Sequence, residues 1–516
     1  MIAVRRAGLA LLLAGVTACG STVQVTGTAT GQLAGEGLGG SAPTSTSGSS
    51  TGTGLAGPGG AGGTSGTTGL GVSPGSAGGT TTGSTGSTTG TAGSVPGSTT
   101  TTVGGIPVKG PGWDKGSVHI GVMTQQDVQK VAESFGISSV DSGDQVADVK
   151  AIEADLNQRG GLFGRKIVLE IYDINSAGDP ETQGQAACGH FTTDIRVVAV
   201  YAMALVGDTP SFRSCMQKAR VPVLAGGGQA FDDQVFNELQ GYYTLMPFPS
   251  WNRFAGPFLD RLLAQKFYTG WDTTNGAPGV APVKTGFICP DTPIGRRVGD
   301  LVRKQSLRIG QPLANETYYA ASGADASSYV LRFKTDGITH VLFCDLPLFV
   351  FAQQAESQHY RPRYGISTFN TPVLFLQGLV PNAQLVGSVG VGWAPTLDVD
   401  QAHESTVAPP GMAACKALAA RHGVSYASTR RFAQGVLYDS CDILNLIVSA
   451  AKVSNSLEGQ AIRTGIGLAG PRLPSAVTFT SGLSPTQHAN PAGTRDLYFD
   501  SACSCYQYRG PVISMG

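Results

Sequence analysis

From Ser117 to Gly226 short apolar runs alternate with stretches whose apolar residues recur every three to four positions. "SVHIGVM" (117–123), "KIVLEIYD" (166–173), "VVAVYA" (197–202) and "VPVLAG" (221–226) read as strands. Between the first two, Val146, Val149, Ile152 and Leu156 recur at helical spacing across 144–159, and further helices are expected around Cys188 and through Cys215. Strands and helices alternating at this spacing predict an α/β chain with a parallel sheet covered on both faces. The junction "GGLFGRK" (160–166) turns the first helix back into the second strand. Gly160 and Gly161 can take the positive φ of a helix end, and Leu162 or Phe163 can pack back on that helix.

A second series follows "YYTLMPFPSWNRF" (242–254), which leads into a helix. Strands are expected at 283–291, 339–345, 363–369 and 385–395, with helices at 295–306, 326–337 and 348–358. Two successive series without a long linker imply two similar lobes. The stretch 410–451 reads as strongly helical, and extended, loop-rich sequence follows it to the end.

The first hundred residues differ. Arg5 and Arg6, the apolar run 7–16 and Val16-Thr17-Ala18-Cys19 have the layout of a signal peptide (1–18) ending in a lipobox, with Cys19 as the lipidated residue. The apolar run is too short for a permanent span. Residues 19–115 are mostly Gly, Ser, Thr, Ala and Pro, too poor in apolar side chains to offset the entropy of ordering, and read as a disordered tether. A flexible chain of that length reaches on the order of 50 Å. Gly52-Thr53-Gly54-Leu55-Ala56-Gly57 matches the dinucleotide fingerprint formally, but no strand precedes it and no helix follows.

Composition removes several function classes. The 35 basic and 35 acidic residues balance, and no basic or aromatic-rich basic motif marks a nucleic-acid partner. No nucleophile elbow occurs in the ordered region and no zinc-protease motif occurs at all, so a non-enzyme without cofactor is expected. Nine cysteines less Cys19 leave an even set, Cys188, Cys215, Cys289, Cys344, Cys415, Cys441, Cys503 and Cys505, as expected of disulfides in an exported protein. The Cys503-Ser504-Cys505 pair lacks a second cysteine pair or a suitably spaced histidine, so no metal site is expected.

"AIEADLNQRGGLFGRKIVLEIYDINSAGDPETQGQAA" (151–187) resembles the hallmark segment of type I periplasmic binding proteins of the branched-chain amino-acid class, the substrate-binding subunits of ABC transporters. "KARVPVLAG" (218–226), "DTPIGRRVGDLV" (291–302) and "ADASSYVLRFKTDGITHVLFC" (324–344) match later landmarks in order. The resemblance implies two Rossmann-like lobes with parallel sheets joined by hinge strands, closing on a ligand: 116–247 plus 388–468, and 248–387 plus 469–516. It also implies pairing of Cys188 with Cys215, Cys289 with Cys344 and Cys415 with Cys441, with Cys503 left to Cys505; other connectivities stay open.

The resemblance breaks at the ligand positions. Relatives place hydroxyl residues where this chain has Met203-Ala204-Leu205-Val206, and a Ser/Thr cluster where it has Gly226-Gly227-Gly228. Ile294-Gly295 replaces a Tyr-Gly pair, and Phe369-Asn370 lies near the acidic residue set against a ligand ammonium. The ligand is therefore expected not to be a standard α-amino acid but more apolar, aromatic or neutral polar. Candidate contacts are Gln125, Met203, Ala204, Leu205, Gly227, Gly228, Trp251, Asp291, Asp345, Phe369 and Asn370. For several a plainer role competes: a solvated loop for Gln125, hinge packing for Trp251, a helix cap for Asp345. The expected function is that of a lipid-anchored solute-binding protein on the extracytoplasmic face of a bacterial membrane, delivering a small molecule to an ABC permease. The alternative is a ligand sensor or regulator of a cell-wall enzyme.

Overall fold

A computed structural model describes residues 101–130, 141–203, 205–226, 231–319, 325–345, 348–404 and 408–516. Cys19, most of the tether, Ala204, Gly227 and Gly228 lie outside the described residues. The first series contains β1 (Ser117–Thr124), α1 (Gln145–Gln158), β2 (Lys166–Asp173), α2 (Pro180–Gly189), β3 (Val200–Ala202), α3 (Pro210–Lys218), β4 (Val223–Ala225) and β5 (Tyr243–Leu245). Its five strands are parallel, in the order β2-β1-β3-β4-β5.

The second series contains α4 (Trp251–Ala264), β6 (Thr285–Pro290), α5 (Pro293–Arg308), β7 (Leu313–Tyr319), α6 (Ala326–Thr335), β8 (His340–Phe343), α7 (Leu348–Ser357), β9 (Arg363–Ser367) and β10 (Val389–Gly392). Then come α8 (Met412–Arg421), α9 (Arg431–Ser454), α10 (Gly459–Ala469) and the strands β11 (Gly493–Asp500) and β12 (Cys505–Ser514). The second sheet runs β7-β6-β8-β9-β10-β11-β12. It is parallel up to β10 and antiparallel from β10 to β12. Among the described residues no helix is long and apolar enough to cross a membrane.

Several helices start where a strand has just ended, and the sequence marks those starts. Asp179, Thr209 and Thr292 cap α2, α3 and α5 through their side chains, each followed by proline at the first helical position. The cap satisfies an orphan backbone N–H, and proline forfeits none there. In the "GGLFGRK" turn Gly160, Gly161 and Gly164 have φ of 94°, 64° and 74°, and Leu162 is fully buried.

Three differences from the sequence-based expectation have physical causes. Order begins before residue 116, because 101–116 are packed on the first lobe: Ile106 and Trp113 are buried, and the Trp113 indole donates to the Pro107 carbonyl at 3.0 Å. Arg165 fixes this segment. It is 1% exposed and donates to the carbonyls of Asp114, Val103 and Pro107 at 2.7, 3.0 and 2.9 Å. Second, β10 pairs with β9 and β11, so 388–392 belongs to the second sheet instead of opening the return to the first lobe. Third, the tail carries a helix, α10, that its glycines (Gly459, Gly465, Gly467) had hidden. Helix α9 packs against α1 and α10, with most of its length buried.

Arg165→Ala should remove the charged donor from three carbonyls and cost roughly 2–4 kcal/mol. Limited proteolysis of the full chain checks it: cleavage within 101–116 should become rapid while the remainder resists. Unchanged protection there would contradict the role given to Arg165.

Candidate functional site

The chain passes between the lobes three times, after β5, after β10 and along 475–492. These crossings are tied together. The Trp393 indole donates to the Pro247 carbonyl at 2.8 Å, and the Phe479 amide to the Trp393 carbonyl at 3.3 Å. The Arg253 guanidinium donates to the Ala489 carbonyl at 2.8 Å and to that of Pro491. An aromatic cluster fills the joint: Phe369 stacks on Phe248 and Trp251 at 5.1 and 5.2 Å between centroids, with Phe254 and Trp393 edge-on.

Beside this joint, residues beyond the carboxyl ends of strands from both sheets line a cavity of about 400 Å³. Asp208, Pro210, Arg213 and Gln217 follow β3; Pro290, Thr292, Pro293, Ile294 and Arg297 end β6 or begin α5; Asp345 follows β8. This is where open α/β sheets hold ligands, and the volume suits a small molecule. Pro210, Val235, Leu239, Pro290, Pro293 and Ile294 supply apolar wall.

The charges in the cavity are organised. Arg297, from the second lobe, forms a two-pronged pair with Asp232 of the first: its Nη2 donates to Oδ1 at 2.9 Å and its Nε to Oδ2. The Asp232 side chain is 5% exposed and that of Arg297 31%, so the pair is a partly desolvated bridge across the cleft. The Arg213 guanidinium lies over the Phe231 and Tyr243 rings at 5.0 and 5.7 Å. Asp208 is buried and accepts from the Tyr243 hydroxyl. Burial raises its pKa to about 7, with Arg213 opposing that rise.

Asp208 titrates near neutrality in the folded chain and near the ordinary carboxylate value of 3.8 when unfolded. The folded state therefore holds the proton more tightly, and this group's contribution to stability falls as pH rises from about 4 to 7. Asp208→Asn should raise the melting temperature by a few degrees relative to the parent at pH 8 and by less than half as much at pH 5. Thermal unfolding of both proteins at the two pH values checks it; an equal shift at both would refute the assignment.

The predicted contacts divide. Asp345 lines the cavity and is buried. Gln125 follows β1 and spends its side-chain amide on Ser176 Oγ at 2.7 Å. Met203 follows β3 and packs its sulfur 3.9 Å from Ser440 Oγ. Leu205 begins a short 3-10 turn, Leu205–Asp208, that carries Asp208 to the cavity wall. Ala204, Gly227 and Gly228 lie outside the described residues.

Four candidates are placed elsewhere. Trp251 is fully buried in the aromatic joint, so its face meets Phe369 instead of a ligand. Phe369 is enclosed in the same cluster. Asn370 is fully buried and ties two loops, donating to the Asp345 carbonyl at 2.6 Å and accepting from the Ser367 amide at 2.9 Å. Asp291 is exposed and paired at 2.8 Å with Arg296 of the adjoining helix α5.

The residues that sequence reasoning missed are Asp208, Arg213, Asp232 and Arg297. A signal for two of them was present: Thr209-Pro210 and Thr292-Pro293 each start a helix at a strand end, and Arg213 and Arg297 sit in the turn that follows. Asp439, from α9, was also missed. It is buried against Gly226 at the end of β4, where a Cβ would strike its carboxylate, and burial holds its pKa well above the ordinary range.

The cysteine pairs Cys188–Cys215, Cys289–Cys344 and Cys415–Cys441 lie at disulfide distance, with Cα atoms 6.3, 5.3 and 6.0 Å apart, as do Cys503 and Cys505.

No protein-family model matches the chain, and no curated protein matches it. Solved structures do. A branched-chain amino-acid ABC transporter protein from Thermus thermophilus with bound valine aligns with a TM-score of 0.56 at 14% identity, covering 77% of this chain and 96% of that one. A fatty acid ABC transporter substrate-binding protein from Thermomonospora curvata aligns with a TM-score of 0.55 at 14% identity, covering 79% and 95%. An ABC transporter solute-binding protein from Rhodopseudomonas palustris BisB5 in complex with 3,4-dihydroxy benzoic acid gives 0.54 at 11% identity, covering 77% and 98%. With its two sheets, three crossings and a cavity at the strand ends, the chain has the fold of the type I periplasmic binding proteins.

Proposed function

We propose that this chain is an extracytoplasmic solute-binding protein that captures a small molecule between its lobes for an ABC importer, held at the membrane by a lipid on Cys19 and a Gly/Ser/Thr tether. The observation that carries this reading is the cavity at the strand ends of both sheets, with Arg297 on its wall bridged to Asp232 of the other lobe. A bridge made only when the lobes approach lets binding energy shift the molecule from open to closed. We further propose that the solute is not a standard α-amino acid. Met203 to Val206 offers no hydroxyl to a carboxylate, and the buried Asp208 is half-protonated near neutrality, a poor partner for an ammonium group. An apolar or aromatic body with hydrogen-bonding oxygens suits the proline- and leucine-lined wall beside Arg213.

Thermal-shift screening of the full chain tests this against amino acids, aromatic acids, fatty acids, polyols and cell-wall fragments. A ligand at a hundred times its Kd adds about 2.7 kcal/mol of stability, an easily read shift. Stabilisation by an aromatic or other organic acid is the expected result. Best stabilisation by an α-amino acid would overturn the ligand class. Stabilisation by a wall enzyme and by no small molecule would overturn transport in favour of the regulatory alternative, to which a long tether is equally suited.

A further inference from the structure

Away from the cleft, the turn between β11 and β12 brings Cys503 and Cys505 against His403, a residue about a hundred positions earlier in the short helix Gln401–Glu404. One donor atom from each of the three lies within 4.8 Å of the others. His403 Nε2 is 3.8 Å from Cys505 Sγ. His403 Nδ1 is 2.7 Å from Asp400 Oδ1, which places the ring proton on Nδ1 and leaves the Nε2 lone pair facing the sulfurs. A carboxylate behind the far nitrogen is the arrangement that orients metal-binding imidazoles. The Gln507 amide nitrogen lies 3.4 and 3.7 Å from the two sulfurs, in position to donate to thiolates.

The sulfurs lie at disulfide distance, yet such a bond closes a loop with a single residue between its cysteines, against separations of 27, 55 and 26 for the other pairs. Restraining so short a loop removes little entropy from the unfolded chain, so opening the bond should leave the fold intact. A structural staple explains the three other pairs and not this one.

We propose that Cys503, Cys505 and His403 form a redox-gated site for a soft closed-shell cation, Zn²⁺ or Cu⁺. A dithiol reductant supplies two electrons and two protons: the Cys503–Cys505 bond breaks, two thiols form, and the dithiol closes to its own disulfide. Cation binding then displaces both thiol protons, forms two metal–sulfur bonds and takes the Nε2 lone pair of His403. Three such donors complete a trigonal Cu⁺ site; Zn²⁺ adds a water as fourth ligand. Exchange with an oxidised dithiol reverses this: its disulfide takes the two electrons and, with two protons from solvent, becomes the dithiol, the Cys503–Cys505 bond re-forms, and the cation leaves.

The test uses the full chain, reduced with a dithiol, desalted without oxygen and titrated separately with Zn²⁺ and Cu⁺ against chromophoric competitors. One equivalent of either cation should bind to the reduced chain and none to the oxidised chain, the two arms showing which is preferred. His403→Ala should weaken binding at least tenfold, and Co²⁺ should show thiolate charge-transfer bands that Cys503→Ser diminishes. A Cys503→Ser/Cys505→Ser variant, reduced identically and still melting cooperatively, should lose the equivalent. Retention of the equivalent by that variant, no binding in either arm, or unchanged affinity in His403→Ala would overturn the proposal.

Discussion

Phe369→Ala should lower the unfolding free energy by about 3–5 kcal/mol, the loss typical of an aromatic ring cut from a tightly packed core. Phe369 is 3% exposed and touches four rings at once, stacked between Phe248 and Trp251 with Phe254 and Trp393 on its edges. Each aromatic pair adds about 0.5–1.5 kcal/mol beyond the area it buries. The cluster spans two crossings, so the cavity left by alanine cannot be filled without moving the lobes. Phe369→Leu keeps most of the volume and should cost markedly less, because the leucine side chain fills part of that space. Urea unfolding of the three proteins measures this. A loss below about 1 kcal/mol for alanine would show that the joint repacks and does not define the hinge.

Arg297→Ala should weaken solute binding about 10- to 100-fold, or roughly 1.4–2.8 kcal/mol, with a much smaller effect on unfolding. The variant leaves the nearly buried Asp232 carboxylate without its two-pronged partner in the closed form, whereas an open form lets water reach it. The cost therefore falls on closure. Asp232→Asn should act in the same direction, and the double variant should lose less than the sum, since both remove one interaction. Calorimetric titration with the solute found by screening measures all four proteins. Additive losses would mean that the two side chains act independently, and the bridge would have no part in closure.

The alternation of strands and helices was legible where a strand is a short apolar run and a helix begins at a marked cap, as at Asp179-Pro180 and Thr292-Pro293; the edge strand Leu313–Tyr319, with Asn315 and Glu316 in it, carried no such run and was not expected. The "GGLFGRK" turn was legible as scaffold, since Gly160, Gly161 and Gly164 take positive φ without the cost that Phe163, also at positive φ, bears. Its arginine was not. A buried guanidinium bonded to backbone carbonyls leaves no pattern in the partner sequence, so the packing of 101–116 stayed hidden behind the tether's composition.

The site was legible only by position. Strand ends pointed to Asp345, but Trp251 and Phe369 lie equally near strand or helix ends and are consumed by the joint, and Asn370 is consumed by the tie between two loops. Asp232 and Arg297 are 65 residues apart and meet only in the tertiary structure. His403 and Cys505 are likewise brought together by tertiary structure alone.

Small-angle scattering from the full chain, titrated with the solute that stabilises it, addresses lobe closure most directly. Capture between the lobes predicts contraction that saturates at one equivalent, parallels the binding isotherm and requires more solute in Arg297→Ala. Saturable binding with no contraction in the parent chain, or with the same dose dependence in the variant, would contradict it.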